Sequence, residues 1–274
     1  MSGVLYLIPT PIGNLKEVSP RVMEVLSSVD YVACEDTRNT AKLLSLIGIS
    51  KSCFSCHEHN EVEASNKIIN DILEGKNVGY ASDAGYPCIS DPGSILVSKC
   101  IEKDITVVPL SGPNAFLNAL VGSGLNTSHF YFYGFLNAKY SLREKELESI
   151  KDFNETILFY EAPHRINDTL KSMYKVLGNR KICVARELTK IYEEFIRTDL
   201  EDLVNNKREF KGELVLVVEG AQKPENSGDA YENSLNEVQK LVDAGLSSKD
   251  AILAVSTLYK LNKNKLYKLF LSSK

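Results

Sequence analysis

Short apolar runs alternate along this chain with longer amphipathic stretches. Residues 4–8 are continuously apolar and end at Pro9, the pattern of a buried strand. Ser19 before Pro20 supplies an N-cap and a first helical residue, which predicts a helix there. Further strands are predicted at 30–34, 78–82 and 105–108. Helices are predicted at 37–47, closed by Gly48, and at 60–74, closed by Gly75. Another opens at Asp91-Pro92 and carries Ile95, Leu96 and Ile101; a last one runs from Gly112-Pro113 to Gly122. Strands alternating with helices of this length predict βαβ units around a largely parallel sheet. The next block is richer in strands, at 130–135, 156–160, 181–185, 192–198 and 213–219. Its helices are predicted at 141–151 and 165–176, and its strand direction is expected to be mixed. The polar stretch 222–229 reads as a linker. Three helices follow at 231–244, 248–259 and 263–271. Ser247 and Asp250 have capping-box-like spacing, and a short Leu-Asn-Lys-Asn turn gives the last two helices a helix-turn-helix look. The predicted division is 1–115, 116–221 and 228–274.

The composition narrows the function classes. A chain of 274 residues with 43% hydrophobic content can bury more than one core. Its net charge of −4 does not advertise nucleic-acid binding, so any RNA contact must come from local clusters. No apolar run approaches the roughly 18 residues of a membrane span. The start of the chain lacks the basic region and cleavage site of a signal peptide. The six cysteines are scattered, so reduced thiols and a cytoplasmic location are expected. Cys53-Phe-Ser-Cys56-His57-Glu58-His59 has the look of a metal clip. It has no second Cys/His pair at zinc-site spacing, and no metal is expected.

Candidate chemistry gathers in the turns after strands. Pro9-Thr10-Pro11-Ile12-Gly13-Asn14-Leu15 is stiffened by two prolines, and Gly13 would let the backbone approach a ligand. The loop from Ser82 to Gly93 is long for a βα connection, where about two to six residues are usual. Asp91 has a ready explanation as a helix cap, whereas Asp83 has none and points to function. Ser111-Gly112-Pro113-Asn114-Ala115 is a third turn at the same sheet edge. Three such loops at the carboxyl ends of strands predict a binding crevice. Polar clusters stand at 35–38, 57–61, 160–165 and 186–190, each with a plain alternative as caps and surface ion pairs. No GxGxxG follows the first strand and no GxxxxGK[ST] occurs, which weighs against a dinucleotide site or a P-loop NTPase.

Taken in order, these stretches resemble the ribosomal-RNA-methylating group of the tetrapyrrole methylase superfamily. The matching segments are 5–15, Glu35-Asp36-Thr37-Arg38, His57-Glu58-His59-Asn60-Glu61, 82–93, Gly112-Pro113, 160–165, 185–190 and Lys211-Gly212-Glu213. The resemblance runs from about residue 4 to 220, and more loosely through the C-terminal helices. It implies an α/β fold of two tetrapyrrole-methylase-type α/β domains with the cofactor cleft between them, plus a small C-terminal helical segment. It further implies a homodimer that uses S-adenosyl-L-methionine to methylate the 2′-oxygen of a cytidine in small-subunit (16S) rRNA. The donor is then expected against Pro9, Thr10, Pro11, Ile12 and Gly13; Asp83, Ala84, Gly85, Ile89, Ser90 and Asp91; and Gly112, Pro113, Asn114 and Ala115. Tyr160, Glu161 and Arg186 would add contacts from the second domain. The chain departs from the group at Tyr86, where Thr is usual, and at Cys88, Ser111 and Asn114. Tyr86 matters most, because its ring could narrow the pocket or stack on the ligand.

A ribose hydroxyl is a poor nucleophile, so a base or a stabilising cation would help. Candidates are Asp36, Arg38, His59 and Glu61 from the first domain, with Arg38 and His59 ranked first, and Glu161, Arg186 and Lys190 from the second. Lys139, Arg143, Lys145, Lys260, Lys263, Lys265 and Lys268 could neutralise phosphates. Two other readings stand beside this one. The first is another methylase of the superfamily, acting on a tetrapyrrole or other small molecule, against which the Pro-Thr-Pro-Ile-Gly-Asn-Leu form speaks. The second is a catalytically inactive RNA-binding ribosome-assembly factor, which only Tyr86 favours.

Overall fold

Five strands, β1 (Val4–Ile8), β2 (Tyr31–Cys34), β3 (Cys53–Ser55), β4 (Val78–Ala81) and β5 (Thr106–Pro109), pair in the order β3-β2-β4-β1-β5, all parallel. They belong to a computed structural model that describes residues 2–222, 228–259 and 261–272. Their connections carry α1 (Pro20–Ser28), α2 (Thr37–Leu46), α3 (Glu61–Leu73) and α4 (Ser94–Glu102). The sheet is buried on both faces, which is why its central strands read as unbroken apolar runs. Leu5 and Tyr80 pack with Ile68, Ile72 and Leu96 on one face, and Ile8 and Val32 with Val22, Leu26 and Leu44 on the other.

Ser19 caps α1 as predicted, its hydroxyl accepting the Val22 amide at 3.2 Å. Two predicted helix starts move. α4 opens at Ser94 behind Gly93, whose φ is +123°, so Asp91 is not its cap. α5 (Ala115–Ser123) opens at Asn114, whose side-chain oxygen accepts the Leu117 amide at 2.9 Å, and not at Gly112-Pro113.

A second sheet of β6 (Phe130–Phe135), β7 (Thr156–Glu161), β8 (Lys181–Arg186), β9 (Glu194–Asp199) and β10 (Leu214–Val218) runs β6-β7-β10-β8-β9. Only β6 and β7 pair in parallel, so its direction is mixed as expected. α6 (Tyr140–Ile150), α7 (Ile166–Leu177) and α8 (Leu200–Asn205) cover one face over a core that includes Leu147, Phe159, Leu170, Met173 and Leu216. α5 covers the other, with Ala119 and Leu120 against Leu158, Ala185 and Val217, and Ile12 from the turn after β1 joins that cluster. β3 and α8 escape the sequence pattern because both are short.

Arg143 is not a phosphate contact. It is buried, donating from Nε to the Ser172 hydroxyl at 3.0 Å and from its terminal nitrogens to the carbonyls of Ala138 and Asp168. It bolts α6 to α7 instead.

The chain divides into two compact units, one through Ala221 and one from Gln222. The second comprises α9 (Gly228–Asp243), α10 (Ser248–Leu258) and α11 (Lys263–Ser272) around its own core, which includes Tyr231, Val238, Ile252, Val255 and Phe270. Ser247 caps α10 by accepting the Asp250 amide at 3.2 Å. Most of the predicted linker, residues 223–227, and Lys260 lie outside the described residues. Among the described residues no helix is long and apolar enough to cross a membrane.

Candidate active site

Because β4, β1 and β5 are neighbours, the loops that follow them stand side by side at one edge of the first sheet. Hydrogen bonds clip them together. The Thr10 amide donates to the Gly85 carbonyl at 2.8 Å, and the Gly85 amide returns a bond to Thr10 at 3.0 Å. The Thr10 hydroxyl donates to the Ser82 carbonyl at 3.1 Å. The Tyr86 hydroxyl accepts the Gly112 amide at 2.8 Å, tying the loop after β4 to the turn after β5. Facing these loops are residues of the second sheet, and between the two sides lies a cavity of about 360 Å³. This is a fitting size for a small-molecule site, where about 300–1,000 Å³ is usual.

One wall is Ile12, Ala84, Gly85, Tyr86, Ile89, Ser90, Asp91, Asn114 and Ala115. The other includes Phe135, Tyr160, Glu161, Ala162, Pro163, Leu188 and the segment from Gly212 to Val215. The backbone around it is held in unusual shapes. Cys88 and Ser90 have φ of 70° and 60°, and Glu187 and Thr189, flanking Leu188, have 50° and 68°. Non-glycine residues in this region persist only where neighbours over-determine them, and they concentrate at functional sites.

Ten of the residues expected to hold a donor line this cavity: Ile12, Ala84, Gly85, Ile89, Ser90, Asp91, Asn114, Ala115, Tyr160 and Glu161. The others have different places. Pro9, Thr10 and Pro11 lie against Leu26, Leu43 and Leu44 behind it. Gly13 has φ of +147° and a Cβ there would collide with the Lys190 side chain; the residue does not line the cavity. Gly112 packs likewise on the Pro9 ring, and neither it nor Pro113 lines the cavity. Arg186 pairs with Glu194 at 3.3 Å and is not part of the wall. Lys190 bridges Glu187 at 2.8 Å and Glu213 at 3.0 Å, which occupies it structurally. The Glu161 carboxylate is buried and taken up by the Ala162 amide, the Thr169 hydroxyl and the Arg165 guanidinium. Phe135, Leu214 and Val215 were not anticipated, since in sequence they are ordinary strand residues; Ala162, Pro163 and Leu188 lie within the clusters 160–165 and 186–190, although none of the three was expected to touch the donor. Gly212 carried a signal: its φ is +83°, and a side chain there would strike the Glu187 carboxylate. Tyr86, the feared obstruction, is a wall of the cavity and does not fill it.

A second cavity, more open and about 500 Å³, borders the same loop at Asp83. Its walls are Glu35, Asp36, Thr37, Arg38, Ser55, His57, Glu58, His59 and Asp83, from the carboxyl ends of β2 and β3. Asp36, Arg38 and His59 are thus brought together, whereas Asp83 faces this cavity and not the first. The Asp83 carboxylate accepts the Asn39 side-chain amide at 2.8 Å and the Asp36 backbone amide at 3.4 Å. Asp36 caps α2 and takes a two-pronged pair from Arg38, at 3.0 and 2.6 Å, which holds its carboxyl at about 2. The Arg38 side chain is otherwise 88% exposed. Burial pushes Asp91 up to about 6, and the Glu35 and Asp83 carboxylates add to the shift. Glu35 is raised by burial and then by Asp83. Acids of one cavity therefore feel those of the other, and the two lie back to back across the loop.

Glu61 is a correction. It is buried, and its Oε1 accepts the amides of Gly93 at 2.9 Å and Ile95 at 3.0 Å. It caps α4, which has no side-chain cap of its own, and faces neither cavity. Cys56 is buried in the core on one face of the first sheet, and Cys53 is half-buried on the other. Among the described residues no group of three or more His, Cys, Asp or Glu is placed to hold a metal ion.

The sequence profile of the family described as Tetrapyrrole (Corrin/Porphyrin) Methylases matches residues 4–204, from the start of β1 into α8. The chain belongs to the tetrapyrrole methylase family. Within that family it is similar to ribosomal RNA small subunit methyltransferase I of Bacillus subtilis (strain 168), 45% identical over 256 residues that cover 91% of this chain and 88% of the relative. The enzyme of the same name from Halalkalibacterium halodurans is 43% identical, covering 98% and 94%. That from Haemophilus influenzae is 42% identical, covering 97% and 96%. Among solved structures, diphthine synthase superposes with a TM-score of 0.62 at 15% identity, over 80% of this chain and 90% of its own. Uroporphyrin-III C-methyltransferase from Thermus thermophilus, complexed with S-adenyl homocysteine, superposes with a TM-score of 0.56 at 16% identity, over 79% and 97%. At such identities these structures share the tetrapyrrole methylase fold.

Proposed function

We propose that this chain is an S-adenosylmethionine-dependent methyltransferase that methylates the 2′-hydroxyl of a cytidine in small-subunit ribosomal RNA. The observation that carries the reading is the pair of cavities meeting at one loop, in a chain 42–45% identical to enzymes named for that RNA. The enclosed cavity fits the donor. Ile12, Ile89, Leu188 and Val215 offer apolar surface to a purine, and Asp91 offers a carboxylate to a cation. When bound, S-adenosylmethionine supplies an electrophilic methyl group on a sulfonium. The chain's part is to bind, orient and exclude water. The clips from Thr10 and Tyr86 fix the wall against which the donor would lie.

The second cavity bears on the acceptor. Thr37, Ser55 and the carboxylates of Glu35, Glu58 and Asp83 would meet a sugar hydroxyl that must give up its proton. An inactive assembly factor is disfavoured by the open donor cavity. We read the working protein as cytoplasmic and as a homodimer; Val121, Ile191 and Tyr192, large and 72–94% exposed, support the second reading. The two sheets are read as separate domains that meet near residue 115, and Lys263, Lys265 and Lys268 as RNA-phosphate contacts.

The test is methyl transfer from labelled S-adenosylmethionine to small ribosomal subunits purified from a strain lacking the gene. Label in rRNA that resists alkaline hydrolysis at one position is the expected result. No label, with the donor still bound, would mean a different acceptor.

A further inference from the structure

We infer that the open cavity takes the acceptor ribose and that Asp83 is the base that receives its hydroxyl proton. The inference rests on the methyltransferase reading and assigns the residue that performs the proton step. Three observations point to it. Asp83 is adjacent in sequence to Ala84, so the carboxylate in the acceptor cavity and the wall of the donor cavity are neighbouring residues. Asp83 is also aimed: Asn39 donates to one oxygen at 2.8 Å and the Asp36 amide approaches the other at 3.4 Å, both from α2. Of the other acids in the cavity, Asp36 is locked to Arg38, and among the described residues Glu35 and Glu58 have no hydrogen bond to the loop that borders the donor cavity.

The rest of the cavity suits a nucleoside. Ser55, Thr37 and the two imidazoles of His57 and His59 present hydrogen-bonding groups, and Nδ1 of His57 is shielded from solvent without a hydrogen-bond partner. Arg38 stands exposed beside them for a flanking phosphate. In the step, the ribose oxygen forms a bond to the methyl carbon as its proton passes to Asp83. The carbon–sulfur pair returns to the donor's sulfur, and the sulfonium leaves as a neutral thioether. Asp83 loses its proton to water before the next turnover.

The experiment compares Asp83→Asn with the wild-type protein on small ribosomal subunits lacking the modification. It reads the single-turnover rate, the affinity for S-adenosylmethionine by calorimetry and the melting temperature. Asn keeps the size of the side chain and an oxygen toward Asn39. The expected result is a rate at least about 100-fold lower, as for a lost general base, with donor affinity within about twofold and melting unchanged. A variant that methylates at near wild-type rate overturns the assignment while the methyltransferase reading stands. Donor affinity reduced about tenfold or more overturns it too, because Asp83 would then belong to the donor site. A wild-type protein that labels no rRNA overturns the function itself, and this assignment with it.

Discussion

Replacing Glu61 separates a structural carboxylate from a catalytic one. Its Oε1 is shared by the Gly93 and Ile95 amides at the first turn of α4, and the side chain is 6% exposed. Hydrogen bonds to a charged acceptor contribute about 1.5–3 kcal/mol each, and the charge also complements the positive end of the helix. Glu61→Ala removes both bonds, strands the amides and leaves a void, so a loss of about 3–5 kcal/mol is expected. In a unit of this size each kcal/mol is worth about 2–4 °C, which puts the melting temperature down by about 6–20 °C. Glu61→Gln keeps an acceptor oxygen in place and loses only the charge, at a cost of about 1–1.5 kcal/mol. Thermal unfolding of both variants, with methyl transfer measured well below their melting points, tests this. The expected order is wild type, Gln, Ala in stability, with transfer by the Gln variant near normal. A Gln variant that melts like the wild type yet transfers methyl about 100-fold more slowly would refute the argument and return Glu61 to the chemistry.

Tyr86→Phe removes the acceptor of the Gly112 amide, a bond worth about 0.5–1.5 kcal/mol, so melting should fall by about 1–6 °C and donor affinity by calorimetry should weaken, with the transfer rate spared. Asp91, raised from 3.8 to about 6, holds its proton more tightly folded than unfolded. Stability should therefore fall as pH rises between those values, by up to about 3 kcal/mol, and Asp91→Asn should flatten the slope in melting curves. For the same reason, a cationic donor should bind more tightly as pH rises through 6, and in the Asn variant it should not. Arg38→Ala should abolish turnover and leave donor binding intact, as the side chain is exposed in the second cavity and absent from the first. Donor binding lost in that variant would place Arg38 in the donor site.

What could be read from sequence was what local chemistry decides. The apolar run of β1, the Ser19 cap and the three loops at one sheet edge follow from neighbours in the chain, and the structure has them. The misreadings share a cause, a distant partner. Asp before Pro at 91–92 has the chemistry of a cap, but the helix starts at Ser94 and its cap comes from Glu61, 32 residues away from Gly93. That exchange frees Asp91 for the cavity and removes Glu61 from it. The glycines at 13 and 112 were legible as points of close approach. What approaches them, Lys190 and Pro9, depends on how the second sheet and the turn after β1 come together. The far wall of the donor cavity was silent for a similar reason: Leu214 and Val215 differ in no local way from the core residues beside them.

The loop from Ser82 to Gly93 explains why so much of the molecule converges on one segment. Methyl transfer succeeds only when oxygen and carbon meet in line at about 3–3.5 Å, so a wall between donor and acceptor that shifted by an ångström would cost most of the rate. A free twelve-residue loop could not hold that tolerance. This one is anchored from four directions. Thr10 holds it from the turn after β1, Tyr86 reaches Gly112 after β5, Asn39 and Asp36 hold Asp83 from α2, and Glu61 holds Gly93 from α3. Such anchoring is also what keeps Cys88 and Ser90 at positive φ. The anchors are independent in sequence, so losing one should loosen one end of the loop and spare the other. The Tyr86 and Glu61 variants should therefore differ in kind: the first slackens the donor wall at a small cost in melting, and the second lowers melting much further before it alters either site.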